Sequence, residues 1–221
     1  MKEKPSATAI MAHLHRKGSK AGVAGMARYG IVAKKAYGVS VGDLRAMAKK
    51  IGRDHDLAAR LWKSGVFEGR MLAVFLEDPE LVTSRQMDTW ARDFENWADC
   101  DTACFHLFDK TPHAWKKIEQ WSSRKDEFVK RAAFALLASV ALHDKNTPDA
   151  PFQGSLALVA REAGDDRNFV KKGVSWALRG IGHRNSKLRA AAMKTAARLA
   201  ESEIASARWI GKDAIRDLKR T

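Results

Sequence analysis

An aspartate set among aromatic side chains is the residue of this sequence best placed to do chemistry. At about 100° per residue, a helix over 96–110 places Asp101 inside the apolar stripe that contains Trp97 and Phe108. An ionised carboxylate on such a stripe is costly unless it is paired, hydrogen-bonded or open to a wet cleft. Two interpretations stay open: a structural aspartate that caps a helix or pairs with an arginine, and a carboxylate that acts on a bound molecule.

The other polar side chains of this helix suggest no further chemistry. Asp99 and Asp109 point away from the stripe, and we expect them to be solvated. Cys100 and Cys104, the only cysteines, are four residues apart on a helix, a spacing that predicts two small buried thiols rather than a disulfide. With His106 they could suggest a metal site, but no second ligand pair follows, so we predict no metal.

Two later helices contribute one notable side chain each. The helix over 126–143 is apolar nearly all round, and Arg131 in it needs an anionic partner, either a carboxylate such as Asp101 or a phosphate from outside. Trp176 lies at the margin of the apolar stripe of 168–182. It either packs as an amphipathic side chain or presents its ring to a sugar or a cation.

Apolar residues recur at intervals of three and four along the whole chain, which predicts an all-α protein. The predicted helices cover 6–16, 20–37, 40–51, 55–64, 67–77, 80–94, 96–110, 112–122, 126–143, 151–163, 168–182, 186–201 and 206–218. Thirteen short helices, with 144–150 as the only long connection, favour a HEAT-like helical-repeat solenoid over a globular orthogonal array. We therefore expect a single domain over 1–221, an α-α superhelix whose alternate helices bring Trp97, Arg131 and Trp176 to one basic concave face.

The charge of the chain indicates a polyanionic partner. The formal net charge is +14, and it is unevenly distributed. Residues 168–221 hold 13 Lys and Arg against four Asp and Glu, whereas residues 77–109 hold nine acids against two arginines. Segregation of this kind predicts a nucleic-acid footprint, with RNA not yet distinguished from DNA, although a generally solvated surface is the simpler interpretation.

Neither a membrane nor a secretory route is indicated by the hydropathy. No apolar run approaches the roughly 18 to 20 residues that cross a bilayer, and MKEKPSATAI at the N-terminus lacks the apolar core of a signal peptide. We expect a cytoplasmic protein that makes no membrane contact.

Several stretches together resemble the AlkD-type alkylpurine DNA glycosylases, DNA alkylation repair proteins built of HEAT-like repeats. The matching stretches are MARYG at 26–30, YGVSVGDLR at 37–45, NWADCD at 96–101, KRAAFALLAS at 130–139 and FVKKGVSWALR at 169–179. The most specific element is Trp-x-x-x-Asp, followed by an arginine in the next inner helix and a tryptophan in the one after. Members commonly have two adjacent tryptophans where this chain has Asn96 and Trp97.

The resemblance implies hydrolysis of the N-glycosidic bond of N3- or N7-alkylated purines in double-stranded DNA, by a monomer without metal or organic cofactor. Asp101 would stabilise the sugar cation and orient water, while Trp97 and Trp176 face the lesion. Arg131 and Tyr29 would contact DNA. Further candidates for phosphate contacts, each also explicable as part of a solvated helix face, are Lys171, Lys172, Arg179, Arg184, Lys187 and Arg189.

Two other functions fit the same architecture. A HEAT-like protein that binds DNA without excising bases would show salt-sensitive affinity and release no base. A protein-interaction scaffold would bind a protein tightly and DNA hardly at all. The net charge disfavours the scaffold, and the presence of both Trp97 and Asp101 disfavours the inactive binder.

Overall fold

The computed structural model describes residues 5–220, which form thirteen α-helices, one short 3-10 helix and no strand. The helices are α1 Ala7–Lys17, α2 Lys20–Arg28, α3 Val41–Ile51, α4 His55–Trp62, α5 Phe67–Leu76, α6 Ser84–Arg92, α7 Trp97–His106, α8 Ala114–Ser122, α9 Glu127–His143, α10 Asp149–Glu162, α11 Asn168–Gly182, α12 Ser186–Ala200 and α13 Ala205–Leu218, with the 3-10 helix at Phe108–Lys110. The predicted all-α class is confirmed. No helix within 5–220 has both the length and the apolar character to cross a membrane.

The prediction of a helix over 20–37 is wrong in its second half. Helix α2 ends at Arg28, and Tyr29 and Gly30 turn the chain out of the helix, Gly30 with a φ of 70°. The connection that follows, which we call the 29–39 segment, is also longer than 144–150, so the latter is not the only long connection. The side chains that hold the segment outside a helix come from distant parts of the chain.

The chain forms two compact units, one up to Thr111 and the other from Pro112 onward. In the first unit, α5 lies at the centre and packs against α3, α4 and α7. Its Leu72 and Leu76 have no exposed surface, and neither has Leu61 of the neighbouring α4. Apolar residues surround α5 because it is apolar on nearly every face.

In the second unit α9 is the central helix, and every residue from Val129 to Ala141 is buried. This confirms that the helix packs on several sides. Helices α9 and α11 run parallel and approach closely at small residues: a Cβ added to Gly180 of α11 would lie 3.3 Å from the Cα of Ala138 of α9. Helix α11 packs in turn against α12 and α13. That the two units together act as one domain stays a prediction.

Candidate functional site

A reciprocal capping box fixes the start of α7, the helix that carries the predicted Trp-x-x-x-Asp pair. The Asn96 side chain accepts hydrogen bonds from the backbone N–H groups of Ala98 (2.9 Å) and Asp99 (3.2 Å). The Asp99 carboxylate in turn accepts from the backbone N–H groups of Glu95 (3.0 Å) and Asn96 (3.2 Å). Both ends of the box are buried, so the first turn of α7 is firmly placed.

The prediction that Asp99 and Asp109 are solvated is wrong. Asp99 is 2% exposed, because its carboxylate turns inward to the backbone donors of the capping box and also accepts from the N–H of Cys100 at 2.8 Å. Burial raises the pKa of the Asp99 carboxyl to about 7, although its three backbone donors and the Arg70 guanidinium act to lower it. The side chain of Asp109, in the 3-10 helix, has no exposed surface.

The 29–39 segment is held by a buried carboxylate of α5. Glu68 has no exposed surface, and its two oxygens accept hydrogen bonds from the backbone N–H groups of Tyr37 (2.9 Å), Gly38 (2.6 Å) and Val39 (3.2 Å). Gly38 adopts a φ of 83°, which aligns these successive N–H groups on the carboxylate. Residues 37–39 stay outside a helix because their donors are satisfied by this side chain and not by a helical ladder.

Two residues just before α7 tie the other end of the segment to the site. The Glu95 carboxylate accepts from the backbone N–H of Lys34 at 2.8 Å, and the Asn96 amide donates to the carbonyl oxygen of Val32 at 3.3 Å. Asn96 therefore has two tasks at once, since it caps α7 and anchors the segment. Its neighbour Glu95 also faces Arg70 at 3.6 Å.

The structure brings Trp97 and Tyr29 together across 68 positions of sequence. The Trp97 indole N–H donates to the Tyr29 carbonyl oxygen at 3.0 Å, which fixes the orientation of the half-buried ring. The Tyr29 side chain is 76% exposed. Asp101 follows Trp97 by one turn on the same face of α7 and is half-buried, so it is not sealed in the interior.

Arg131 and Trp176 lie in the second unit. Arg131 is 6% exposed, and its Nη1 donates to the carbonyl oxygen of Phe169 in the first turn of α11 at 2.6 Å. A Cβ added to Gly173 would lie 3.5 Å from the Arg131 Cγ, so the absence of a side chain there makes room for the arginine. Trp176 is half-buried on α11. Their roles toward DNA stay predictions.

Two of the six additional basic candidates already bind protein groups. Arg179 donates to Asp217 at 3.3 Å. Arg184 lies with its guanidinium carbon 3.8 Å from the centroid of the Phe152 ring. The guanidinium of Arg184 also donates to three carbonyl oxygens at and beyond the end of α9, those of Ala141, Asp144 and Thr147. An arginine with this many partners supports the turn after α9 in the free protein.

The four remaining candidates have their charges less engaged. Lys171 places its ammonium 5.0 Å from the centroid of the Trp209 ring, a cation–π contact. Lys172 and Lys187 are exposed and Arg189 is half-buried, and none of the three makes an ion pair within residues 5–220. These three charges are therefore available to an external anion.

Cys100 and Cys104 are buried and are not joined in a disulfide, as predicted. Within the described part of the chain, no three His, Cys, Asp or Glu side chains are arranged to hold a metal ion.

Sequence reasoning missed the residues that position the site. Asn96 and Asp99 have the i, i+3 spacing of a capping box, a signal that was present in the sequence. Glu68 is an acid in a largely apolar helix, which marks it as a buried carboxylate with partners, but the sequence does not indicate which backbone groups it binds.

Comparison with known proteins places this fold in a class. A solved structure from a new family of proteins related to the HEAT-like repeat DNA glycosylases, with affinity for branched DNA structures, superposes with a TM-score of 0.78. The identity is 16%, and the match covers 96% of this chain and 95% of the other. The fold is thus that of the HEAT-like repeat proteins, as predicted.

The family model for DNA alkylation repair enzymes matches residues 10–218, and the chain belongs to that family. No curated protein matches this chain.

Proposed function

We propose that this protein is a base-excision repair glycosylase that hydrolyses the N-glycosidic bond of N3- or N7-alkylated purines in duplex DNA, as a monomer and without a cofactor. The observation that carries the proposal is the placement of Asp101, a half-buried carboxylate one turn after Trp97 on a helix whose start is locked. Membership of the DNA alkylation repair enzyme family supports the substrate class.

The reaction requires little of the protein beyond stabilisation of the positive charge that develops on the sugar. An alkylated purine is cationic, so it leaves C1′ as a neutral base together with the bonding electron pair. The sugar becomes an oxocarbenium ion, and water adds to C1′ and loses a proton. Asp101 stabilises the cation and takes that proton. The ring faces of Trp97 and Trp176 stabilise the cationic lesion and sugar, by roughly 0.5 to 2 kcal/mol each.

Tyr29 belongs to this proposal through its backbone as well as its side chain. Its carbonyl oxygen orients the Trp97 indole, and its exposed ring lies where the 29–39 segment begins. We assign the ring to DNA contact, together with Arg131 and the uncommitted charges of Lys172, Lys187 and Arg189.

Release of 7-methylguanine from methylated duplex DNA tests the proposal. Asp101→Asn should lower the single-turnover rate by at least about a hundredfold while leaving DNA affinity within about twofold. Asp56→Asn is the matched control, since Asp56 is an exposed aspartate of α4 in the same unit. If the wild-type protein binds DNA but releases no base, or if Asp101→Asn excises normally, the proposal is wrong.

A second candidate function is DNA binding without base excision. It is favoured by Asn96, which is 2% exposed and caps α7 where members of the resembling family commonly have a tryptophan. The affinity for branched DNA of the structurally similar protein points the same way. This candidate predicts salt-dependent binding and no abasic product.

A further inference from the structure

Helices α11 and α13 run side by side and parallel in the second unit, joined by polar contacts one turn apart. Ser175 donates to Asp213 at 2.7 Å, and Arg179 donates to Asp217 at 3.3 Å. The two residues of each pair are separated by 38 positions. A constant offset over successive turns shows that the two helices keep one register along this face.

One turn toward the N-termini, the same register pairs a cation with an indole. Lys171 and Trp209 also differ by 38 positions, and the Lys171 ammonium lies 5.0 Å from the Trp209 ring centroid. Trp209 is nevertheless 38% exposed, so much of its ring faces solvent. Tryptophan is enriched at interaction surfaces because it combines a large apolar ring with a polar N–H, so this indole beside a lysine is a candidate contact site.

The lysines beside this indole carry charges that no carboxylate of residues 5–220 neutralises. The nearest acid on α13, Asp213, already accepts from Ser175 and pairs with Arg179 at 3.6 Å. Arg216 pairs with the same carboxylate. By contrast, Lys171 contacts the Trp209 ring and Lys212 follows Trp209 by three residues on α13, and neither lysine makes an ion pair within residues 5–220.

An exposed indole beside ammonium groups that no carboxylate neutralises suits a nucleotide whose base is not paired. Proteins that bind single-stranded nucleic acid stack successive bases on aromatic side chains and hold the phosphates with lysine or arginine. Bases inside an intact duplex already stack on each other and offer no free face. We propose that Trp209, with Lys171 and Lys212, forms a contact site for unpaired nucleotides at gaps and branches in DNA.

This inference rests on the proposed binding of DNA but not on base excision. It assigns a task to Trp209 of α13, a side chain that the excision mechanism does not use. The competing role for Trp209 is internal, with Lys171 covering the ring and no ligand involved.

Binding to a gapped duplex and to the intact duplex of the same sequence, at one salt concentration, separates these roles. Trp209→Leu should weaken binding to gapped DNA about tenfold and to intact DNA less than about twofold, whereas Trp209→Phe, which keeps a ring, should retain most of the preference. Ile204→Ala is the matched control, because Ile204 is an exposed apolar residue just before α13 but carries no ring. Equal losses on both DNAs, no loss, or an Ile204→Ala effect of the same size would overturn the inference.

A lysine pair keeps the test decisive if Trp209→Leu does not fold. Lys171→Gln with Lys212→Gln should lower the affinity for gapped DNA more than that for intact DNA, and Lys145→Gln, in an exposed loop, should change neither. No difference between the two DNAs would overturn the inference. Release of 7-methylguanine by the wild-type protein is scored separately. Excision with no role for Trp209 rejects only this site, and a Trp209 effect without excision rejects only the glycosylase.

Discussion

Asp99 and Asp101 are two residues apart on α7 and differ in almost every physical respect. Asp99 is buried at the helix start, where its carboxylate accepts three backbone N–H groups. Asp101 lies on a different face of the helix and is half-buried. The helical wheel located Asp101 on the apolar stripe but misjudged Asp99, because a wheel carries no information about capping at a helix end.

The raised pKa of Asp99 makes stability depend on pH. The folded protein retains the proton up to about pH 7, whereas the unfolded chain loses it near pH 4. The stabilisation is therefore complete below about pH 4 and is lost as the pH rises to about 7. Urea unfolding of the wild-type protein and of Asp99→Asn across this range should show that the substitution removes this decline. Asp56→Asn, at an exposed site, should keep it, and identical pH profiles for wild type and Asp99→Asn would contradict the assignment.

At the scale of elements, the 29–39 segment shows where local sequence stops being sufficient. Its residues Ile31, Val32 and Ala33 continue an apolar spacing that is compatible with a helix. Glu68 and Glu95 accept hydrogen bonds from its backbone N–H groups from 30 or more positions away, so these N–H groups are satisfied in a non-helical conformation. The residues of 29–39 do not indicate those partners. The helices of the chain, by contrast, can be predicted from the periodicity of their own apolar residues.

Removing the carboxylate of Glu68 tests how far the segment depends on it. Glu68→Ala leaves three buried or part-buried N–H groups without their acceptor, and we expect a loss of about 3 kcal/mol in the free energy of unfolding. Amide hydrogen exchange should accelerate first at residues 37–39. Glu80→Ala, at an exposed position, should change stability by less than about 0.5 kcal/mol. Unchanged exchange in Glu68→Ala would show that the segment is held by other contacts.

Two glycines of the second unit predict opposite effects of the same substitution. A Cβ on Gly211 of α13 would lie 2.3 Å from the backbone nitrogen of Ala200 and 2.5 Å from the carbonyl oxygen of Ala196. Both are backbone atoms, which cannot move away at a low cost in free energy. Gly211→Ala should destabilise by at least about 2 kcal/mol. Gly154 of α10 has open space where its Cβ would be, so Gly154→Ala should stabilise by roughly 0.5 to 1 kcal/mol. Thermal unfolding of the two variants checks both signs, and destabilisation by Gly154→Ala would contradict the expected packing around α10.

At the scale of the whole molecule, the charge segregation seen in the sequence has a structural counterpart. Several acids of the 77–109 stretch are committed to internal contacts: Glu77 to His55 at 2.7 Å, Asp93 to the Trp62 indole at 2.8 Å, and Glu95 to the 29–39 segment. The sequence therefore predicted the sign of the available charge, but not that many acids serve as internal acceptors, because hydrogen-bond partners depend on tertiary contacts.

A surplus of +14, part of it on lysines without carboxylate partners, should make DNA binding strongly salt-dependent. Each phosphate neutralised contributes a slope of about −0.9 to the plot of log affinity against log salt, so contacts to four or more phosphates predict a slope steeper than about −3.5. Measurements on intact duplex over a range of salt concentrations give this slope directly. Replacing Lys187 with Gln should make it shallower by about 1 if that side chain contacts a phosphate, whereas Lys145→Gln should leave it unchanged. A slope near zero would contradict DNA binding by a cationic surface, because such a surface releases counterions when it binds a polyanion. If this chain bound another protein tightly and independently of salt, and had negligible affinity for DNA, the scaffold function would be favoured instead.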